Sequence, residues 1–198
     1  YLWSNIQNTA VATGLAVGAY SVTATEDGTT VTLNPSASGG SVLPGGGVAA
    51  NGTGEIAMDQ GDVLMVYSGF TQDANVTGTI AEADKPIMML AGHPCANVPF
   101  GVSACDHLEE MMFPLSAVAK EYVVVPPVQV PNDNLEKAQI VYVVATEDDT
   151  DLVFDPPQNG VPTNIANAGD FIEVPQGTNA YVVSSENKIM VSQYMVGQ

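Results

Sequence analysis

The chain has 198 residues, 45% of them apolar, with a mean hydropathy of +0.14, enough to bury a core as one large domain or two small ones. Only 13% of residues are charged, yet 22 are acidic and four basic (Lys85, Lys120, Lys137 and Lys188), for a formal net charge of -18. That balance excludes nucleic acid as a partner, because phosphate backbones need clustered cations to release counterions, and it excludes a polybasic membrane patch.

Such a surface suits a salty extracellular medium, tolerates or recruits Ca²⁺, and favours basic partners. No apolar run reaches the roughly 18 residues that span a bilayer, so no membrane insertion is expected within the chain. The opening YLWSNIQNTA has neither an initiator Met nor a basic signal-peptide start, which points to a processed piece of a larger protein.

Beta-branched residues and short alternating runs broken by Gly, Pro, Asn and Asp recur throughout, without a useful amphipathic helical period, so the fold is expected to be all-β. SVTATEDGTTVTLNP, from Ser21 to Pro35, reads as a hairpin. Its first strand runs to a Glu26-Asp27 turn where Gly28 supplies a positive φ, and it returns through Val31 and Leu33. Ser36 to Glu55 is made of small residues with little to bury and is expected to be an exposed, mobile loop. Gly61-Asp62 then leads into VLMVY, and DKPIMMLAG from Asp84 reads as a closing strand.

GHPCANVPFGVSACDHLEE, from Gly92 to Glu110, holds both cysteines and both histidines. Two readings stand side by side. A Cys95–Cys105 disulfide is what an even cysteine count in an extracellular chain suggests, and cysteine arithmetic favours it. A tetrahedral N2S2 site for Zn²⁺ on His93, Cys95, Cys105 and His107 is the rival, although one residue between paired ligands is atypical spacing. Asp106 and Glu109 have capping-box spacing, which predicts a short helix over HLEEMMF stopped by Pro114, with His107 in its first turn and Met111, Met112 and Phe113 as core contacts. KEYVVVPPVQVP, interrupted by Pro126 and Pro127, reads as an edge strand.

YVVATEDDTDLVFDP, from Tyr142 to Pro156, repeats the first hairpin, with Asp148-Asp149 at the turn and Leu152 and Phe154 on the return. GDFIEV from Gly169 and ENKIMVSQY from Glu186 follow in the same order as their counterparts. The expectation is two duplicated antiparallel β-sandwich or jelly-roll-like units with a disulfide-bearing connection: residues 1–93, a connecting segment 94–119, and residues 120–198. The paired acidic turns ATEDGT and ATEDDTD are candidate Ca²⁺ ligands, but neither follows a D-x-[DN]-x-[DN]-G loop, and solvated turns are the simpler reading. No catalytic constellation is found. The cysteines are not C-x-x-C, GVSAC lacks the last Gly of a nucleophile elbow, and two histidines are too few for a cupin-like site.

CANVPFGVSACDH, with ADKPIMML before it and KEYVVVP after it, resembles the N-terminal domain family of IgG Fc-binding proteins, found in the mucus-associated protein of that kind and in secreted bacterial proteins. ATEDGTTVTL near the start is similar to the family as well, whereas LEEMMFPLSAVAKEY after His107 departs from its Gln-Leu-Pro-Pro type run. The resemblance implies an extracellular, non-enzymatic module of a larger adhesive or mucin-like protein, with Cys95 and Cys105 disulfide-bonded. The expected function is therefore structural, adhesive or binding, at the cell surface or beyond it, without cofactor or catalytic residues. Its expected partners are proteins or glycans, copies of itself among them. The alternative is a metal-dependent module, with Zn²⁺ at the Cys and His cluster or Ca²⁺ at the acidic turns.

Overall fold

A computed structural model describes residues 7–11, 18–69, 74–99, 101–102, 105–128 and 136–197. Every regular element among them is a strand, and every pairing that joins two strands is antiparallel. The chain divides into two compact units, residues 1–96 with 107–117 and residues 97–106 with 118–198.

The first unit carries β1 (Gln7–Val11), β2 (Ala19–Ala24), β3 (Thr29–Asn34), β4 (Gly54–Met58), β5 (Val63–Tyr67), β6 (Ile80–Ala96) and β7 (Asp106–Met111). Its strand order is β4-β3-β6-β2-β5, and β1 and β7 also pair with β6. The long strand β6 changes main partner along its length. Over Ile80–Ala83 it pairs with β3, and over Ile87–Gly92 it pairs with β2. The expected Ser21–Pro35 hairpin is therefore corrected: β2 and β3 flank the turn, but they pair with successive stretches of β6 and not with each other. The change of ladder falls at Asp84, Lys85 and Pro86, which bind the turn itself. Thr30 N donates to Asp84 Oδ1 at 2.7 Å, and Thr25 Oγ1 donates to the Pro86 carbonyl at 2.6 Å. Alternate residues of the two arms are buried, among them Tyr20, Val22 and Ala24 on β2, Val31 and Leu33 on β3, and Ile87 and Met89 on β6. Burial of one face per strand is what a sandwich core requires.

The second unit carries β8 (Ala119–Val124), β9 (Gln139–Ala145), β10 (Thr150–Asp151), β11 (Val153–Asp155), β12 (Asn164–Ile165), β13 (Phe171–Gly177) and β14 (Tyr181–Met195). Its main sheet runs β11-β14-β9-β13, with β8 pairing only with β14 as an edge strand should, and β10 pairs with β12. Val141, Val143, Ala145, Phe154, Val183 and Ile189 belong to one buried cluster. Here too one long strand is shared, since β14 pairs with β11 over Val182–Ser184 and with β9 over Ile189–Met195.

The order β11-β14-β9-β13 matches β3-β6-β2-β5 strand for strand. The matching turns are locked by the same hydrogen bonds. Thr146 Oγ1 donates to the Lys188 carbonyl at 2.7 Å, the counterpart of Thr25 to Pro86. Thr29 Oγ1 and Thr150 Oγ1 donate to the carbonyls of Glu26 and Glu147 at 2.7 and 2.8 Å. Asp27 Oδ1 accepts from Gln60 N at 3.0 Å, and Asp148 Oδ1 accepts from Ala168 N at 2.8 Å. Gly28 and Asp149 take the left-handed backbone at φ 63 and 53, as the turn residues led one to expect. Thr25→Val and Thr146→Val keep shape and remove one partly buried donor each, so each is expected to lower stability by about 1 kcal/mol in urea unfolding. A Val substitution without effect at both sites would mean that the turns hold without the hydroxyls.

One local expectation fails. Residues 107–113 form no helix, because Asp106–Met111 is β7 and pairs with β6, so Asp106 caps nothing helical. The Ser36–Glu55 segment is largely exposed, as expected, and is also anchored. Val42 and Val48 are buried, and backbone bonds tie Leu43 N to Tyr67 O at 2.8 Å and Gly40 N to Asn75 O at 2.9 Å. Its few apolar side chains are enough to anchor a chain whose glycines let it lie flat against its neighbours.

Burial raises the phenol of Tyr181 to about 12 and those of Tyr20 and Tyr142 further, with the Glu173 charge adding to the effect at Tyr142. A raised folded-state value means that the neutral phenol is favoured in the fold. That stability is fully present below the unfolded value near 10 and is lost as pH rises toward the folded values. The urea midpoint is expected to stay level to about pH 9 and to fall from about pH 10 upward. A level midpoint to pH 12 would contradict the burial of these rings.

Candidate functional site

The Cys and His segment is the first candidate. Cys95 and Cys105 are disulfide-bonded, so both sulfurs are committed and cannot serve a metal as thiolates. His93 Nδ1 accepts from Cys95 N at 2.9 Å, and His107 Nε2 lies 3.1 Å from Glu109 Oε2, with both of the latter side chains exposed. The N2S2 arrangement is therefore not formed. Among the described residues no group of three or more His, Cys, Asp or Glu side chains is placed to hold a metal ion. At the acidic turns, Asp27 and Asp148 accept backbone N–H groups, as described above, and Asp59 Oδ1 accepts from Gly28 N at 2.9 Å. These carboxylates shape turns.

A second candidate lies on the solvent-facing side of the sheet of the first unit, where β2, β5 and β6 run side by side. Register aligns three cross-strand rows: Val63, Thr23 and Met88; Met65, Ser21 and Leu90; Tyr67, Ala19 and Gly92. A sheet with one buried face normally shows polar residues outward. β5 departs from this by being apolar on both faces, since Val63, Met65 and Tyr67 are 60%, 50% and 53% exposed while Val66 points into the core. The small residues Ala19 and Ser21 between these larger ones leave a groove of about 320 Å³, which Gly92 also lines. Met65, Tyr67, Leu90 and Pro94 form apolar walls, and His107 and Glu109 of β7 stand at the border.

Close packing brings β7 to this border. A Cβ on Gly92 would lie 2.5 Å from the Leu108 carbonyl oxygen, so glycine is the residue that lets the two backbones approach. Met112 N, just beyond β7, donates to the Met89 carbonyl at 2.9 Å. The groove was not among the sites expected from the residues, although a signal was present: VLMVY has no polar residue at alternate positions, the pattern of a strand covered on both faces. Among the described residues there is no helix, hence none long and apolar enough to cross a membrane.

No curated protein and no solved structure matches the chain. A family model does. Described as IgGFc binding protein, it matches residues 1–198, covering the disulfide, both turns and the grooved sheet together. By that whole-length match, the chain belongs to the IgGFc binding protein family.

Proposed function

We propose that the chain is an extracellular, non-enzymatic binding module whose partner is a protein. The observation that carries this reading is the outer face of β5, where the apolar side chains of Val63, Met65 and Tyr67 face solvent beside a groove. Exposed apolar area of this kind, bordered by polar groups, is characteristic of interaction sites. Membership of a family named for binding an immunoglobulin fragment supports the same reading, and a disulfide suits an oxidising, extracellular setting. The groove's walls offer few polar groups, which fits a protein side chain better than a sugar. Copies of the same chain, each carrying -18, repel one another at low salt.

The test is binding of purified IgG Fc, and of a panel of mucin and extracellular-matrix proteins, to the immobilised full chain by surface plasmon resonance. A saturable isotherm for at least one of them supports the reading. Flat responses across Fc and the panel sink it.

A further inference from the structure

We infer that the groove on the sheet of the first unit takes an apolar side chain of a partner segment, aromatic or of Leu or Met size, flanked by Lys or Arg. This inference rests on the protein-binding reading and adds where the contact is made and by what chemistry.

Three observations point there. The groove is about 320 Å³, the lower end of the range of ligand pockets, which holds one or two large side chains. Its floor is made of the small residues Ala19 and Ser21, so an incoming side chain meets space in the middle of the sheet and the Met65, Tyr67 and Leu90 side chains at the walls. Met and Tyr are residue types enriched where proteins bind one another, the first adaptable in shape and the second rigid with a polar tip.

Charge selects the flanks of the occupant. The lining holds Glu109 and neither Lys nor Arg, within a chain that carries 22 acidic and four basic residues. An acidic segment would meet repulsion from the border and from the whole molecule, whereas a basic one is drawn in by both. Glu109 lies 3.1 Å from His107, and its exposed carboxylate keeps further acceptor capacity for a cation arriving from solvent.

The experiment uses the full chain, isotopically labelled, titrated with two extended peptides of the same apolar centre, Lys-Lys-Phe-Leu-Lys-Lys and Glu-Glu-Phe-Leu-Glu-Glu, and followed by amide chemical shifts. The basic peptide is expected to move the amides of residues 19–21, 65–67 and 90–92, and the acidic one to leave them in place. The double substitution Met65→Thr and Tyr67→Ser removes the walls at two exposed positions and is expected to weaken the basic peptide at least tenfold. Val123→Thr, on the 71% exposed position of β8 in the second unit, is expected to leave it unchanged. Raising salt from 50 to 500 mM is expected to weaken binding several-fold. Equal shifts from both peptides, shifts confined to other residues, or indifference to the double substitution overturns the assignment. Should Fc or a panel protein bind the parent and the double variant equally well, the binding reading stands and the groove falls. Flat responses across the panel with localised peptide shifts give the reverse.

Discussion

Gly92→Ala is expected to lower the stability of the protein by about 3 kcal/mol, the upper end of what overpacking a well-fitted site costs. The added Cβ would sit 2.5 Å from the Leu108 carbonyl oxygen and 3.3 Å from the Glu109 Cα. Both neighbours are backbone, so no side-chain rotation relieves the clash. β7 must move away from β6, taking with it the pairing between the two strands and the border of the groove. Thermal unfolding should shift down by about 10 °C for a chain of this size. Ala19→Ser, in the same cross-strand row but facing solvent, is expected to stay within about 0.5 kcal/mol. Parental stability of the Gly92→Ala variant would show that β7 does not lie against Gly92.

Cleaving the Cys95–Cys105 bond is the second large effect. The bond closes a loop of about eleven residues, and the loss of chain entropy in the unfolded state corresponds to roughly 3 kcal/mol of stabilisation. The double variant Cys95→Ser and Cys105→Ser, and the parent protein under reductant, should both lose about that amount in urea unfolding. Agreement between the two separates the bond from any effect of serine. Intact mass after alkylation of the native protein should show no label without reductant and two labels with it. Two labelled thiols in the native, air-exposed protein would remove the bond from the account, and with it one support of the extracellular reading.

Much of the fold was legible because β-sheet leaves a short-range trace. The alternation of Val31 and Leu33 in TVTL predicts a strand, and both residues are buried in it. The two ATED turns could be aligned by eye, and they proved to carry equivalent hydrogen bonds from Thr25 and Thr146. What was not legible was which strand pairs with which. A turn looks the same whether its flanking strands pair with each other or with a third strand arriving about sixty residues later, and nothing in Ser21–Pro35 announces β6.

The missed helix at His107 has a related cause. Asp106 and Glu109 have the spacing of a capping box, a local preference of about 1 kcal/mol, which a strand's worth of backbone pairing onto β6 outweighs. The groove was the hardest feature to foresee. Its floor, walls and border come from β2, β5, β6 and β7, and only the apolar run on β5 hinted at it. The disulfide was half readable: the cysteines and their even count favoured it, yet a four-ligand cation site used the same four residues.

The long strand β6 leaves a further consequence for how the first unit comes into being. Its ladder partners on β2 and β3 were made about sixty residues earlier, so neither can acquire a neighbour on that side until the chain through Gly92 is available. The early strands must wait with unsatisfied edges, and assembly is gated by the arrival of one late segment. A polypeptide released with its amino-terminal portion exposed in this way depends on its own surplus of negative charge to keep such edges from joining those of its neighbours.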